Sequence, residues 1–219
     1  MTDYTTMENR TLYLVRHGQR LDAVNRNWHG TADNKYDPPL SEKGYWQAQR
    51  LGDRLSQEPI DFIFASPYIR ALQTAQPIAE ALDMPFYVDD GIGEWLGSSM
   101  IPNPPNIIEP IKRAVDFSYM GLTHPTKIHP IYPETVEQVF DRLQQAVDYL
   151  LETYEGNLLL VGHGRVVTGI AHRLTGQAES TFKYDLACVS KLVLQDGEWT
   201  IRLNGDTSHL TETVMPHFA

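Results

Sequence analysis

An apolar run, Leu12 to Val15, leads without a break into Arg16, His17 and Gly18. An uninterrupted apolar run of this length is typical of a strand buried on both faces, as in a parallel sheet. Open α/β sheets bind their ligands beyond the carboxyl ends of such strands. Arginine matches the geometry of a phosphate, and histidine can act as a nucleophile or carry a proton. We therefore predict that His17 attacks phosphorus while Arg16 binds the phosphate oxygens.

A second buried strand is predicted over residues 157–161, whose last four residues are apolar, and it is followed by His163 between two glycines. Because both histidines follow continuous apolar runs, we expect their strands to lie at neighbouring central positions of one sheet. A third strand is predicted over residues 60–65. Arg70 should lie in the first turn of the helix after it, where backbone N–H groups also favour anions. These segments predict a positively charged site built from three strand ends.

The remaining segments alternate between helical and extended patterns, which predicts a mixed sheet with parallel βα units first and an antiparallel pair last. The final pair is indicated by Asp196-Gly197 between two strand-like runs, a hairpin signal. A further short strand is expected over 85–88. Helices are predicted over 42–57 with Ser41 as N-cap, from Ser66-Pro67 to Leu82 with a break at Pro77, and over 107–117, 134–154 and 166–174.

Residues 96–133 differ in composition from the rest, since they hold seven of the 14 prolines. The region shows no apolar pattern sufficient for a core of its own. We interpret it as an inserted lid within a single domain that spans residues 1–219.

The charge balance, the cysteine count and the absence of long apolar segments limit the possible partners and location of the protein. Lys and Arg number 18 against 28 Asp and Glu, a formal charge of −10, which argues against nucleic-acid and anionic-membrane partners. The single cysteine, Cys188, lies in an apolar run and predicts a buried thiol. No signal-like or bilayer-length apolar segment is evident, so a cytoplasmic location is the expectation.

Two histidines near one sheet edge also fit a metal site. Arg16 argues against it, because a guanidinium beside a divalent cation is repelled. We therefore expect neither a metal nor another cofactor.

Several short motifs occur in a characteristic order between Leu12 and Leu174 and together resemble the histidine phosphatase superfamily, with its phosphoglycerate mutase-like fold. They are Arg16-His17-Gly18, Pro39-Leu40-Ser41-Glu42-Lys43-Gly44 with Gln47-Ala48, Ser66-Pro67 with Arg70 and Gln73-Thr74-Ala75, Gly93-Glu94, and Gly162-His163-Gly164. The resemblance implies an α/β fold, a three-layer α/β/α sandwich around a mixed, mostly parallel sheet. It also implies hydrolysis of phosphate monoesters through a phosphohistidine.

Within the superfamily the chain is similar to the phosphatase domain of the suppressor of T-cell receptor signalling proteins and to ecdysteroid-phosphate phosphatase. The matching features are Arg20, Trp28, Tyr36-Asp37-Pro38-Pro39-Leu40, Glu94-Trp95 and Pro133-Glu134. These relatives also imply a homodimer.

Carried over residue by residue, the resemblance makes His17 the nucleophile and Glu94 the proton donor. It assigns the transferring phosphoryl group to Arg16, Arg20, Arg70 and His163. Glu94 could donate its proton if Trp95 and an apolar lid raised its pKa. Arg20 has the alternative role of a solvated loop charge, and Arg165 receives no role. Trp28 and Trp95 are candidates for lining a substrate pocket, although aromatic side chains often serve packing instead.

Two other functions remain open at this stage. A phosphoglycerate mutase would share the pocket but would have to retain the phosphoryl group and exclude water. A non-catalytic module that binds phosphorylated ligands would need the same cations. Aromatic residues near the site make aryl phosphate monoesters a reasonable first substrate class, together with other small phosphate esters.

Overall fold

The computed structural model describes residues 2–97 and 110–211. In that part of the chain the strands are β1 (Arg10–Arg16), β2 (Phe62–Ala65), β3 (Phe86–Val88), β4 (Met120–Gly121), β5 (Leu158–Gly162), β6 (Val189–Gln195) and β7 (Glu198–Asp206). The α-helices are α1 (Trp28–Thr31), α2 (Glu42–Leu55), α3 (Ile69–Leu82), α4 (Pro110–Arg113), α5 (Val136–Thr153) and α6 (Gly164–Thr175).

The strands form one sheet in the order β4-β3-β2-β5-β1-β6-β7. The first five of these run parallel to one another, whereas β6 is antiparallel to both β1 and β7. The predicted mixed sheet is therefore confirmed. The hairpin between β6 and β7 turns at Asp196 and Gly197, whose φ values of 53° and 81° are those that an Asp-Gly hairpin turn requires.

Helices cover both faces of the sheet, which confirms the three-layer α/β/α arrangement. Side chains alternate along β1, so that Leu12 and Leu14 pack with residues of α5 and α6. Tyr13 and Val15 point the other way and pack with residues of α2 and α3. All four side chains are at most 1% exposed, as expected of a central strand with two buried faces.

The N-terminus of α2 agrees with the sequence, whereas that of α3 differs. Ser41 caps α2 by accepting a hydrogen bond from the Gly44 N–H, as predicted. The prediction that α3 begins at Ser66 was wrong, because the Ser66 N–H donates to the Val161 carbonyl of β5 and extends the strand ladder. The predicted break at Pro77 was also wrong, since α3 continues through it to Leu82. A proline within a helix removes one backbone hydrogen bond, and its ring crowds the carbonyl four residues earlier. The helix is held on both sides of Pro77 by the fully buried side chains of Ala75 and Ile78.

The described part of the 96–133 region belongs to the edge of the fold. β4 pairs with β3, and Phe117 and Met120 are buried in the core on the α2–α3 side. The helix expected over 107–117 is represented by α4 and a following 3-10 turn; positions 107–109 lie outside the described residues. This half of the region is thus anchored to the sheet through buried side chains.

No helix among the described residues has both the length and the apolar character needed to cross a bilayer.

A polar cluster centred on Glu58 links three parts of the fold. Its carboxylate accepts hydrogen bonds from the Tyr13 hydroxyl, the Arg54 guanidinium and the Lys191 ammonium at 2.7–2.9 Å. Burial raises the pKa of Glu58, but these three donors lower it more, to about 2. Since the folded-state pKa lies below the unfolded value, this stabilisation is present above about pH 4.5 and is lost as pH falls toward 2.

We expect Glu58→Gln to lower the free energy of unfolding at neutral pH by about 1–2 kcal/mol, after allowance for solvent screening. The variant should also show a flatter pH dependence of stability below about pH 5 than the wild type. Urea titrations across this pH range measure both quantities. Glu198→Gln, a change at an exposed strand residue, is the matched control. A wild-type slope retained in Glu58→Gln would contradict the assignment.

Candidate active site

The pairing of β1 with β5 brings the two histidines together. Arg16 lies opposite Gly162 in the parallel ladder, and the His17 N–H donates to the Gly162 carbonyl at 3.0 Å. His17 and His163 therefore follow adjacent strand ends, and their ring centroids are 5.3 Å apart. The expected juxtaposition of the two strand ends is found at the carboxyl edge of the sheet.

His17 is 1% exposed, and its Nδ1 lies 2.7 Å from the Gly18 carbonyl oxygen. A carbonyl can only accept, so Nδ1 carries the ring proton and Nε2 keeps its lone pair. Burial, followed by the nearby positive charge of Arg70, holds the pKa of His17 well below its usual value. The ring is therefore neutral near pH 7, the form that a nucleophilic imidazole requires.

His163 contacts three polar groups through its two ring nitrogens. Its Nδ1 lies 3.2 Å from Nη2 of Arg70, which can only donate, and 3.3 Å from Oε2 of the Glu94 carboxylate, which can only accept. Nε2 lies 2.7 Å from the Ser66 hydroxyl, which can either accept from the ring or donate to it, so both neutral tautomers fit these contacts. Burial lowers the pKa of His163 to about 4 despite the nearby Glu94 carboxylate. Sequence reasoning missed this role of Ser66, because its place before a proline resembled a helix start.

Arg70 is the deepest cation of the site, with 2% of its side chain exposed. Its Nη2 contacts Glu94 Oε2 at 3.3 Å, and its Nη1 lies 3.7 Å from Asp37, beyond hydrogen-bond distance. Within the described residues, Nε and Nη1 of Arg70 have no hydrogen-bond partner. Buried guanidinium donors without partners are costly unless an anion contacts them, so this side chain favours anion binding.

The two other arginines lie nearer the surface. Arg16 donates from Nη1 to the Tyr184 carbonyl at 2.5 Å and packs over the Tyr184 ring. Arg20 forms a two-pronged ion pair with Asp22, with both N–O distances 2.9 Å. Arg20 therefore lines the site, but its charge is already neutralised by a neighbour in its own loop.

The Glu94 carboxylate lies among the cations, with Oε2 3.3 Å from His163 Nδ1 and 3.3 Å from Arg70 Nη2. Burial raises the pKa of Glu94, but His163 and Arg70 lower it more, so the net pKa lies well below the usual value. His163 is itself neutral near pH 7, and we attribute the lowering chiefly to Arg70. The condition considered from the sequence, a pKa raised by Trp95 and an apolar lid, is not met in this structure, because the Arg70 guanidinium lies beside the carboxylate.

A buried ion pair holds the Glu94 loop, and sequence reasoning missed it. Arg142 of α5 binds both carboxylate oxygens of Glu134 at 2.6 and 2.8 Å and donates to the carbonyls of Gly91 and Gly93. Glu134 also accepts from the Leu96 N–H. The available signal was an arginine on the otherwise apolar face of a predicted helix, where a charge is found only with a buried partner.

The motif around Ser41 and Gly44 supports the loop that follows His17. A Cβ added at Gly44 would lie 2.1 Å from the Gln19 carbonyl oxygen, so only glycine permits this close approach. Gln47 accepts from the Gln19 N–H at 2.8 Å, and Thr74 accepts from the Gly18 N–H at 3.2 Å. These motif residues fix the backbone around the nucleophile and need not contact a substrate.

An open cavity of about 570 Å³ lies above this group. Its described lining comprises Arg16, Arg20, Glu94, Trp95, Gly164, Arg165, Thr168, Glu179, Ser180, Phe182 and Tyr184. Trp95 is thus placed at the cavity. Trp28 is not in this lining, because its indole N–H donates to the Lys35 carbonyl within its own loop. Residues 110–133 do not line the cavity either, so this part of the expected lid lies elsewhere.

His17, Glu94 and His163 offer ligand atoms within 4.8 Å of one another, a spacing that a metal ion could bridge. The surrounding charges do not fit a divalent cation. Nη2 of Arg70 lies 3.2 Å from Nδ1 of His163, so its guanidinium would lie directly beside the ion. The donor set suits an anion bound by cations better than a cation bound by ligands.

The comparisons agree with this geometry. The model for the histidine phosphatase superfamily (branch 1) matches residues 12–207, and the chain belongs to that family. Ecdysteroid-phosphate phosphatase of Drosophila melanogaster is 25% identical over 210 residues, covering 80% of this chain but only 28% of the relative. Phosphoglycerate mutase-like protein 4 of Arabidopsis thaliana is 27% identical, covering 96% of this chain and 91% of the relative.

Among solved structures, the ecdysone phosphate phosphatase of Bombyx mori, crystallised with tungstate, has a TM-score of 0.66 at 21% identity. The match covers 88% of this chain and 91% of that structure. At this identity the likeness establishes the shared fold.

The lowered pKa values of His17 and His163 predict that neither imidazole gains a proton between about pH 8 and pH 5. Nitrogen-15 NMR titration of the folded protein should show both rings remaining neutral across this range. The urea-unfolded chain is the control, in which histidines should titrate near the usual 6.5. Titration of either folded ring near that value would contradict the assigned states.

Proposed function

We propose that this protein hydrolyses phosphate monoesters through a covalent phosphohistidine at His17. The observation that supports this most is the neutral His17 ring, whose Nδ1 proton is bound to the Gly18 carbonyl next to the buried, incompletely partnered Arg70. A lone pair on Nε2 and a cationic pocket are what transfer of a phosphoryl group to nitrogen requires. The names of the phosphatase relatives support the same reaction.

In the first step Nε2 of His17 attacks phosphorus, and the ester P–O bond breaks with its electron pair going to the leaving oxygen. Charge on the transferring group spreads over three oxygens, which Arg16 and Arg70 are positioned to bind, together with His163 in the tautomer that carries its proton on Nδ1. Arg20 can join them only by giving up its ion pair with Asp22. In this proposal the positive charges of Arg16 and Arg70 stabilise the transferring group, and no metal ion takes part.

Glu94 supplies the proton to the leaving oxygen. Its pKa lies below the usual value while Arg70 interacts with it, but a bound phosphate dianion would compete for that guanidinium. The negative charge of the phosphate beside the carboxylate then raises its pKa and lets it hold a proton. In the second step Glu94 takes a proton from water as the water attacks phosphorus. The P–N bond breaks, and its electron pair returns to Nε2.

Replacing the nucleophile tests the proposal directly. We expect His17→Asn to lower kcat/KM for an aryl phosphate by at least about a thousandfold, because an amide nitrogen is not nucleophilic. Asparagine can still donate to the Gly18 carbonyl, which helps to preserve the fold. The assay is run in EDTA, with circular dichroism to confirm folding.

The matched control is His129→Ala, at a histidine whose side chain is 61% exposed and paired with Asp90. Turnover retained in folded His17→Asn would remove the proposed mechanism. Full loss of wild-type turnover in EDTA would show that a metal is needed.

A second prediction concerns the general acid. Glu94→Gln should reduce kcat for alkyl phosphates more than for aryl phosphates, because a phenoxide leaves with less help from a proton. The measured quantity is the ratio of the two kcat losses across a set of esters with different leaving-group pKa values. Equal losses on both classes would contradict the acid role.

A phosphoglycerate mutase would share this pocket, and the Arabidopsis thaliana relative is named phosphoglycerate mutase-like. Incubation with 3-phosphoglycerate and its bisphosphate separates the two activities, since a mutase moves the phosphoryl group whereas a phosphatase releases inorganic phosphate. The homodimer implied by the resemblance and the cytoplasmic location expected from the sequence stay predictions. Sedimentation equilibrium tests the first.

A further inference from the structure

The wall of the cavity beyond Glu94 contains an ion pair to which the phosphoryl chemistry assigns no role. Arg165, the second residue of α6, contacts Glu179 Oε1 through Nη1 at 2.5 Å. The Thr168 hydroxyl donates to the same oxygen at 2.7 Å. Glu179 therefore binds two donors of α6 and is fixed against it.

The Arg165 guanidinium also packs against aromatic rings. It lies 5.2 Å from the Trp95 ring centre and 5.6 Å from that of Phe140. Trp95 directly follows the proposed general acid, and both it and Arg165 line the cavity. A leaving group protonated by Glu94 would therefore be next to this aromatic and guanidinium surface.

The other cation of the outer cavity is paired as well. Arg20 is held by both oxygens of Asp22. Among the described lining residues, the remaining cation is Arg16, which is assigned to the phosphoryl group. A second anionic group on a substrate would thus meet cations whose charges are already balanced, and it would also meet the carboxylates of Glu94 and Glu179.

We propose that Glu179, by neutralising Arg165, makes the enzyme select phosphate monoesters whose leaving group is planar or apolar and carries no second negative charge. This inference rests on the proposed phosphatase activity and deepens it. Arg165 then offers the leaving group a flat surface beside Trp95, and Glu179 determines its net charge. The two residues set specificity, and neither takes part in the chemical step.

The test uses two substrates that differ in one charge: 4-carboxyphenyl phosphate and its methyl ester. The quantity compared is the ratio of kcat/KM for the charged substrate to that for the neutral one. Differences in leaving-group reactivity are the same in every variant, so they cancel when ratios are compared. The wild type should favour the neutral ester.

Glu179→Gln leaves the Arg165 charge unbalanced, and we expect the ratio to rise about tenfold, by an amount that added salt reduces. Arg165→Gln leaves Glu179 unbalanced and should lower the ratio. The double variant should return near the wild-type ratio, because both charges are gone. Opposite effects of the single variants are a result that general damage to the fold would not produce.

Glu137→Gln is the matched control, because it breaks the similar Arg173–Glu137 ion pair on an exposed face of α5. Its ratio should equal that of the wild type. An unchanged ratio in Glu179→Gln, or a rise that persists in the double variant, overturns the inference while leaving the phosphatase proposal intact. If the wild type hydrolyses neither of the two aryl phosphates, the phosphatase proposal is contradicted, and the specificity inference with it.

Discussion

The parallel pairing of β1 with β5 is the interaction on which the site depends. Opposite alignment of Arg16 and Gly162 sets His17 beside His163 at one edge of the sheet. A slip of one residue would turn the alternating side chains of β1 to the wrong faces. Because Leu12 and Leu14 are buried on one face and Tyr13 and Val15 on the other, both cores oppose such a slip. Hydrophobic burial far from the cavity thus fixes the distance between two catalytic candidates.

Burial and the positive charge of Arg70 together determine the protonation states of His17, His163 and Glu94. Burial and the positive charge of Arg70 keep His17 neutral, and burial keeps His163 neutral although Glu94 is close. The same cation holds the Glu94 carboxylate ionised. A phosphate dianion contacting Arg70 would therefore change the state of Glu94 most, because the carboxylate would lose its cation and gain a negative neighbour. Substrate binding and preparation of the general acid are coupled in this way.

Patterns of apolar residues were sufficient to predict the central strands, the hairpin and the meeting of the two histidines. Those features depend on the spacing of apolar residues and on the residues at turns, both of which can be read from short stretches of the sequence. The raised pKa considered for Glu94 is not found, because the protonation of this carboxylate depends on Arg70, a residue distant in the chain. Arg142 was missed for the same reason, since its partners become visible only when α5 packs against the 91–96 loop. The sequence could not show that Trp28 lies outside the cavity lining, where its indole N–H donates to the Lys35 carbonyl of its own loop.

Capture of the covalent intermediate is the most direct test of the central claim. The enzyme is mixed with an aryl phosphate, quenched in base within milliseconds, digested and analysed by mass spectrometry. If His17 is the nucleophile, the peptide that contains it carries a phosphoryl group that is stable in base and lost in acid. A phosphoryl group on another residue, or full turnover with no adduct at any reaction time, would contradict the assignment.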